Sequence, residues 1–200
     1  MQSTTDQRLE SVQRHLSAAA EVMRLTLERC GPSILAAADL IASSFHAGGK
    51  LLLCGNGGSA ADCQHMATEF TCRLTGDFIR PALPAVALTT DTSFLTAYTN
   101  DFEFEGIFAR QVEALGKAGD VLLGISTSGG SGNVIRAVEA ARKLDLKVLV
   151  LTGNRGRLRE LADIAVCVPS EVTAHIQEAH LAIEHIVCHL VERALFSPRN

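Results

Sequence analysis

Five short apolar runs constrain this chain more than any other feature: Lys50–Cys54, Ala82–Leu88, Asp120–Ile125, Lys147–Leu151 and Ile164–Val168. Each is short enough for a strand buried on both faces, and helical patterns separate them. Parallel neighbours need crossover connections, so strands alternating with helices imply a parallel, doubly wound α/β sheet. Ahead of the first run, Leu9, Val12, Leu16, Ala19, Met23 and Leu27 recur at helical spacing. Gly31-Pro32 then punctuates, and Ile34, Leu35, Ala38, Ile41 and Phe45 continue a helical stripe to Gly48-Gly49. This reads as two helices, with Pro32 in the first turn of the second. The last segment, Thr173 to Phe196, is one long helical pattern carrying His175, His180, His185 and His189. The expected organisation is one domain over residues 1–200, with residues 1–48 as a helical extension.

Composition narrows the function classes. A chain of 200 residues that is 47% hydrophobic and 20% charged has enough apolar mass for a real core. A net charge of −4 argues against a nucleic-acid binder that works by neutralising many phosphates. Aromatics make up 4% of the residues, too few for stacking to dominate recognition. No window approaches a membrane span, and Met1 to Glu10 lacks the apolar core of a signal peptide. The six cysteines form no C-x-x-C pair and match no zinc ribbon. They read as reduced, structural thiols, which suits the cytosol.

Two stretches share one plan. Lys50 to Ser59 and Asp120 to Gly129 each run from a buried strand into a Gly/Ser-rich loop, and a helix follows. Ligands of open parallel sheets sit beyond the carboxyl ends of the strands, where the winding reverses. If the first and third strands are neighbours there, the two loops face one pocket. Ser126-Thr-Ser-Gly-Gly-Ser131 supplies four hydroxyls, two glycines and a helix start, more donors than one cap needs. It is the phosphate candidate. Gly55-Asn-Gly-Gly-Ser-Ala60 matches the dinucleotide fingerprint, but no acidic residue closes a second strand about 20 residues on. A loop that lets backbone approach a sugar is the better reading.

Further candidates come with competing explanations. His65 and Glu69 lie four apart, on one helix face, as a metal pair, a base with its partner, or a surface hydrogen-bonded pair. Gln177 and His185 lie eight apart on the final helix, about 12 Å along its axis. They converge on His65 and Glu69 only if that helix packs beside the helix after the first strand, in this chain or a neighbour. His180 and Glu184 form a rival pair, and four histidines in one helix also fit plain packing. Asn100-Asp101 ends an apolar helical stretch and reads by default as a helix end.

Taken together and in order, these motifs resemble the phosphoheptose isomerases of the sugar isomerase (SIS) superfamily. The resemblance rests on Cys54-Gly-Asn-Gly-Gly-Ser59, His65 with Glu69, Asn100-Asp101-Phe102, Gly124-Ile-Ser-Thr-Ser-Gly129 with Ser131, and Ile176-Gln177-Glu178 with His185, and it spans nearly the whole chain. It implies a five-stranded flavodoxin-like sheet with an added helical bundle, in cytoplasmic homotetramers whose active sites lie at subunit interfaces. It implies an aldose–ketose isomerase converting sedoheptulose 7-phosphate to D-glycero-D-manno-heptose 7-phosphate, a first step toward activated heptose and lipopolysaccharide. Glu69 would be the base and His185 the acid. One zinc per subunit would be held by His65, Glu69, Gln177 and His185. The substrate contacts would be Asn56, Gly57, Gly58, Glu69, Asn100, Asp101, Ser126, Thr127, Ser128, Ser131 and Gln177, with no nucleic-acid or membrane partner. A relative in the superfamily binds the replication initiator and is no isomerase; it lacks the carboxylate and histidine that this chain keeps at Glu69 and His185. Departures from the commoner pattern are Ala60-Ala61 for a His-Cys pair, Thr68 for a second Glu, Thr71-Cys72 for Thr-Gly, and Gly130 for Asn.

Overall fold

The computed structural model describes residues 3–197, the side chains of 3–6 excepted. Its elements run α1 (Ser3–His46), β1 (Leu51–Gly55), α2 (Gly58–Thr71), β2 (Ala85–Ala87), α3 (Thr92–Asp101), α4 (Ile107–Leu115), β3 (Val121–Ser126), α5 (Gly132–Lys143), β4 (Lys147–Thr152), α6 (Leu158–Leu161), β5 (Ile164–Cys167) and α7 (Thr173–Phe196). The five strands form one sheet in the order β2-β1-β3-β4-β5, with every pair parallel. This is the α/β, flavodoxin-like arrangement expected from the apolar runs, preceded by a long N-terminal helix. The winding reverses between β1 and β3, which pair directly from Leu51–Val121 to Gly55–Ile125.

Strand side chains alternate between two cores. Leu51, Leu53, Leu123, Ile125, Leu149 and Leu151 face the layer made by α1, α2 and α7. Leu52, Cys54, Leu122, Val148 and Val150 face the layer of α4 and α5. Both faces are covered, so the strands read as unbroken apolar runs. The edge strand β2 is shorter than its run, because Pro84 brings no N–H to the ladder and only offers its carbonyl to Leu51.

The expectation of two N-terminal helices is corrected. α1 is a single helix of 44 residues with Pro32 inside it, roughly 66 Å long. An interior proline forfeits one backbone hydrogen bond, a penalty of about 3 kcal/mol. Here the carbonyl it would have engaged belongs to exposed Glu28, where water can take its place. Cys30, Ile34, Ala37, Ala38 and Ile41 meanwhile bury against the core beside α7. Packing on both sides of the proline keeps the helix continuous through it.

Candidate active site

The β1–α2 loop and the β3–α5 loop leave adjacent strands at the carboxyl edge of the sheet. Neither cap residue, Gly57 or Ser131, bonds the first turn of its helix with a side chain; in α5 Asn133 Oδ1 takes the Val134 N–H, which leaves the N–H groups of Gly132 and Asn133 to an anion. In the second loop the hydroxyls turn toward one another. Ser126 Oγ lies 2.9 Å from Ser131 Oγ and 3.4 Å from Ser128 Oγ, and Ser128 Oγ accepts from Gly130 N–H at 3.2 Å. Ser131 occupies the cap position of α5 without using its hydroxyl for the cap. Thr127 and Ser128 also line a small pocket of about 170 Å³ with Arg155, Thr173 and Ile176.

The first loop is braced from behind. Asn56 donates to Asn133 Oδ1 at 2.9 Å, and Asn133 donates back to Asn56 Oδ1 at 2.8 Å. Nothing in the spacing of the sequence singled out Asn133, which is buried in the first turn of α5. The Asn56 side chain therefore ties the two loops together, leaving Gly57 and Gly58 to present backbone. Gly55, Asn56, Gly57 and Asn100 line a cavity of about 630 Å³ with Thr89 and Phe104. Asp101, next along at the end of α3, is exposed and accepts from Asn100 Nδ2 at 2.9 Å.

Helix α2 carries His65 and Glu69, and α7 packs beside it in the same chain. The Nε2 atoms of His65 and His185 lie 2.8 Å apart, one donating to the other, and the rings meet edge to face at 5.0 Å. Glu69 Oε1 is 3.7 Å from His65 Nε2. The three residues each bring a ligating atom within 4.8 Å of the others. Glu69 Oε2 is buried without a hydrogen-bond partner, a costly state for a carboxylate oxygen unless a ligand claims it. Gln177, eight residues before His185 on α7, presses its amide against the Cα of Gly58 so closely that a Cβ there would collide with it. His65, Glu69 and His185 thus converge within one chain, while Gln177 meets the glycine-rich loop at the same helix seam.

Burial, helped by Asp62, pushes the Glu184 carboxyl up to about 9. Burial drives His180 down to about 4, against a weak bond to the Thr152 carbonyl. The rival pair His180 and Glu184 is therefore a buried, neutral pair, and neither oxygen of Glu184 has a partner. Arg80, which the motifs did not flag, donates to the backbone carbonyl of Glu69 at 2.6 Å and to the Glu192 carboxylate at 2.7 Å. Both partners of that ion pair are almost wholly buried.

Comparison with known proteins matches this architecture to a family. The family profile of the SIS domain covers residues 14–153. The chain is a SIS-domain protein. A phosphoheptose isomerase of Roseiflexus sp. is 50% identical over 197 residues, covering 98% of this chain and 99% of the relative. Among solved structures, a phosphoheptose isomerase from Neisseria gonorrhoeae is 44% identical with a TM-score of 0.86, covering 92% of this chain and 97% of that one. Another from Francisella tularensis is 38% identical with a TM-score of 0.89, covering 93% and 98%. Within the SIS domains, then, this chain belongs to the phosphoheptose isomerases, a family of aldose–ketose isomerases acting on sugar phosphates. The family profile stops at residue 153, ahead of α7, and so does not cover Gln177 or His185.

Proposed function

We propose that the chain converts sedoheptulose 7-phosphate to D-glycero-D-manno-heptose 7-phosphate, with Glu69 as base and His185 as acid. The observation that carries this reading is the convergence of His65, Glu69 and His185 from two helices, with one Glu69 oxygen left unpartnered. The Ser126, Thr127, Ser128 and Ser131 hydroxyls, with the free N–H groups opening α5, hold the phosphate. Gly57, Gly58, Asn100, Asp101 and Gln177 align the carbon chain, and Asn56 keeps the loops in register. Binding energy at the phosphate fixes C1 and C2 at the far end.

Chemistry follows from the ketose. Glu69 takes a proton from C1 while His185 gives one to the C2 oxygen, forming the enediol. Glu69 then returns the proton to C2 as His185 recovers one from the C1 hydroxyl, leaving the aldehyde. The donor set fits a divalent metal: two imidazoles, a carboxylate with an orphaned oxygen, and an amide. Zinc held by His65, Glu69, Gln177 and His185 would polarise the substrate oxygens when bound.

A homotetramer is part of the same reading. Leu27, Leu35 and Ile186 are 74%, 56% and 47% exposed, and they border a wholly apolar groove of about 320 Å³ between α1 and α7. A face of that kind calls for a partner surface. A second copy supplies it, with residues 1–48 as the helical extension of one SIS domain spanning 1–200. A cytoplasmic setting agrees with free cysteines throughout. Among the described residues, no helix is long and apolar enough to cross a membrane. The deciding experiment is an isomerase assay on sedoheptulose 7-phosphate with and without chelator. Turnover that falls on chelation and returns with zinc is the expected result. No turnover in the zinc-loaded protein overturns the substrate assignment.

A further inference from the structure

A second cluster of the same side-chain kinds lies on another seam of the molecule. His15 comes from α1, and His175 and Glu178 lie three apart on α7, on one face of that helix. His15 Nε2 donates to Glu178 Oε1 at 2.7 Å, and His175 Nδ1 donates to Glu178 Oε2 at 3.1 Å. The two imidazole rings are 4.5 Å apart, centre to centre, and tilted by 51°. All three ligating atoms fall within 4.8 Å of one another. Gln177 and His185 point from α7 toward α2, whereas His175 and Glu178 meet α1, so the isomerase site does not use this group.

We propose that His15, His175 and Glu178 form a second divalent-metal site, of zinc type, that fastens α1 to α7. Two nitrogens and one carboxylate oxygen are the donors of a borderline ion such as zinc. Bond lengths of roughly 2.0–2.2 Å place neighbouring donors about 3.4 Å apart around a tetrahedral ion. The two nitrogen–oxygen pairs, now at 2.7 and 3.1 Å, open by about 0.3–0.7 Å to reach that spacing, and the two nitrogens already lie within 4.8 Å of each other. Each imidazole now bridges to the carboxylate through a proton. As the ion enters, each ring's single hydrogen moves through solvent to its other nitrogen, and the nitrogen so freed and the carboxylate take the metal. His175 is buried at 7% exposure, which fixes its ring, while exposed His15 leaves an entry path. The fourth position stays open to water.

What the site would hold is visible in the same helix. Residues 7–18 of α1 are exposed throughout, with Leu9, Val12 and Leu16 bare. Within the chain, contact between His15 and the α7 carboxylate is the tether of this arm. The site is independent of the catalytic reading, and the test separates the two. Zinc is counted by equilibrium dialysis and metal analysis after the exposed thiol of Cys72 is alkylated. The set comprises the wild type, His15→Gln, Glu178→Gln and the double variant His65→Ala/His185→Ala. The expected result is that His15→Gln and Glu178→Gln each bind one equivalent fewer than wild type, while the double variant keeps that equivalent. Zinc should also slow amide exchange across residues 7–20 by tenfold or more in wild type and in the double variant, and leave His15→Gln unmoved. Equal zinc counts in wild type, His15→Gln and Glu178→Gln overturn the proposal, and so does exchange that zinc slows equally in wild type and His15→Gln.

Discussion

The two loops at the carboxyl edge of the sheet follow one plan in sequence, a buried strand running into glycine and serine ahead of a helix, and the fold holds them differently. After β1, the loop is pinned by the Asn56–Asn133 amide pair and offers backbone, with the Gln177 amide against Gly58. After β3, the loop gathers three serine hydroxyls around Ser126. Even their glycines are needed for different reasons. A side chain at Gly58 would meet the movable end of Gln177, whereas one at Gly129, whose φ is +63°, would meet the backbone carbonyl of Arg155. In the proposed function one loop leads into the helix of the reacting groups and the other would anchor the far end of the substrate. Similar composition at equivalent turns therefore does not imply the same task; the element that faces each loop decides it.

The sharpest way to break this division is at the reacting end. Glu69→Gln and His185→Ala should each lower kcat by about 10²-fold or more with the fold intact by circular dichroism; near-wild-type turnover in either would dismiss the assignment of base and acid. At the anchoring end, Ser131→Ala removes one hydrogen bond to a charged group, about 1.5–3 kcal/mol. KM for the sugar phosphate should rise roughly 10- to 100-fold while kcat holds; a selective loss of kcat would mean that the hydroxyl loop serves the chemistry instead. The glycines come next. Gly58→Ala should slow turnover about tenfold by displacing Gln177, with thermal stability unchanged. Gly129→Ala should instead lower the melting temperature by several degrees, since strain of about 1–3 kcal/mol falls on rigid backbone. An equal thermal penalty at both positions would erase the contrast.

The smallest effect concerns the floor of the reacting end. Glu184 stays protonated in the folded chain up to about 9 but ionises near its ordinary value of 4.5 when unfolded. The folded state therefore loses ground steadily as pH rises from 4.5 toward 9. Glu184→Gln cannot ionise, so it should melt a few degrees above wild type at pH 8 and lose that advantage below pH 4.5. Melting curves across pH, read by scanning calorimetry, would show a gap that is flat with pH if Glu184 were charged in the folded protein.

How much of this could be read from the chain depended on which forces were local. The strands were legible because burial on both faces leaves a continuous apolar run, as in Leu51 to Cys54 and Val121 to Leu123. The bounds of α7 followed from periodicity alone. Pro32 misled because a local breaker was weighed without the packing of Cys30, Ile34 and Ala37 that holds α1 through it. The α7 histidines could not be sorted by spacing, since the sorting comes from what each one faces: His175 the first helix, His180 the Thr152 carbonyl, His185 the helix of Glu69. The carboxylate and imidazole of the reacting end were visible as residue types at helical spacing. The Asn133 brace of Asn56 and the Arg80 brace of Glu69 were not, because a brace is defined by geometry across the fold.

The buried Arg80–Glu192 pair has a consequence for the tail of the protein. One guanidinium grips the carboxylate of Glu192 near the last turn of α7 and, at the same time, the main-chain oxygen of Glu69. Trimming the chain back past Glu192 would strand a cation in the interior and unlatch Glu69, the residue proposed as the base. The final helical turns thus hold Glu69 by leverage, through a single arginine, and the proposed base depends on a helix end that it does not touch.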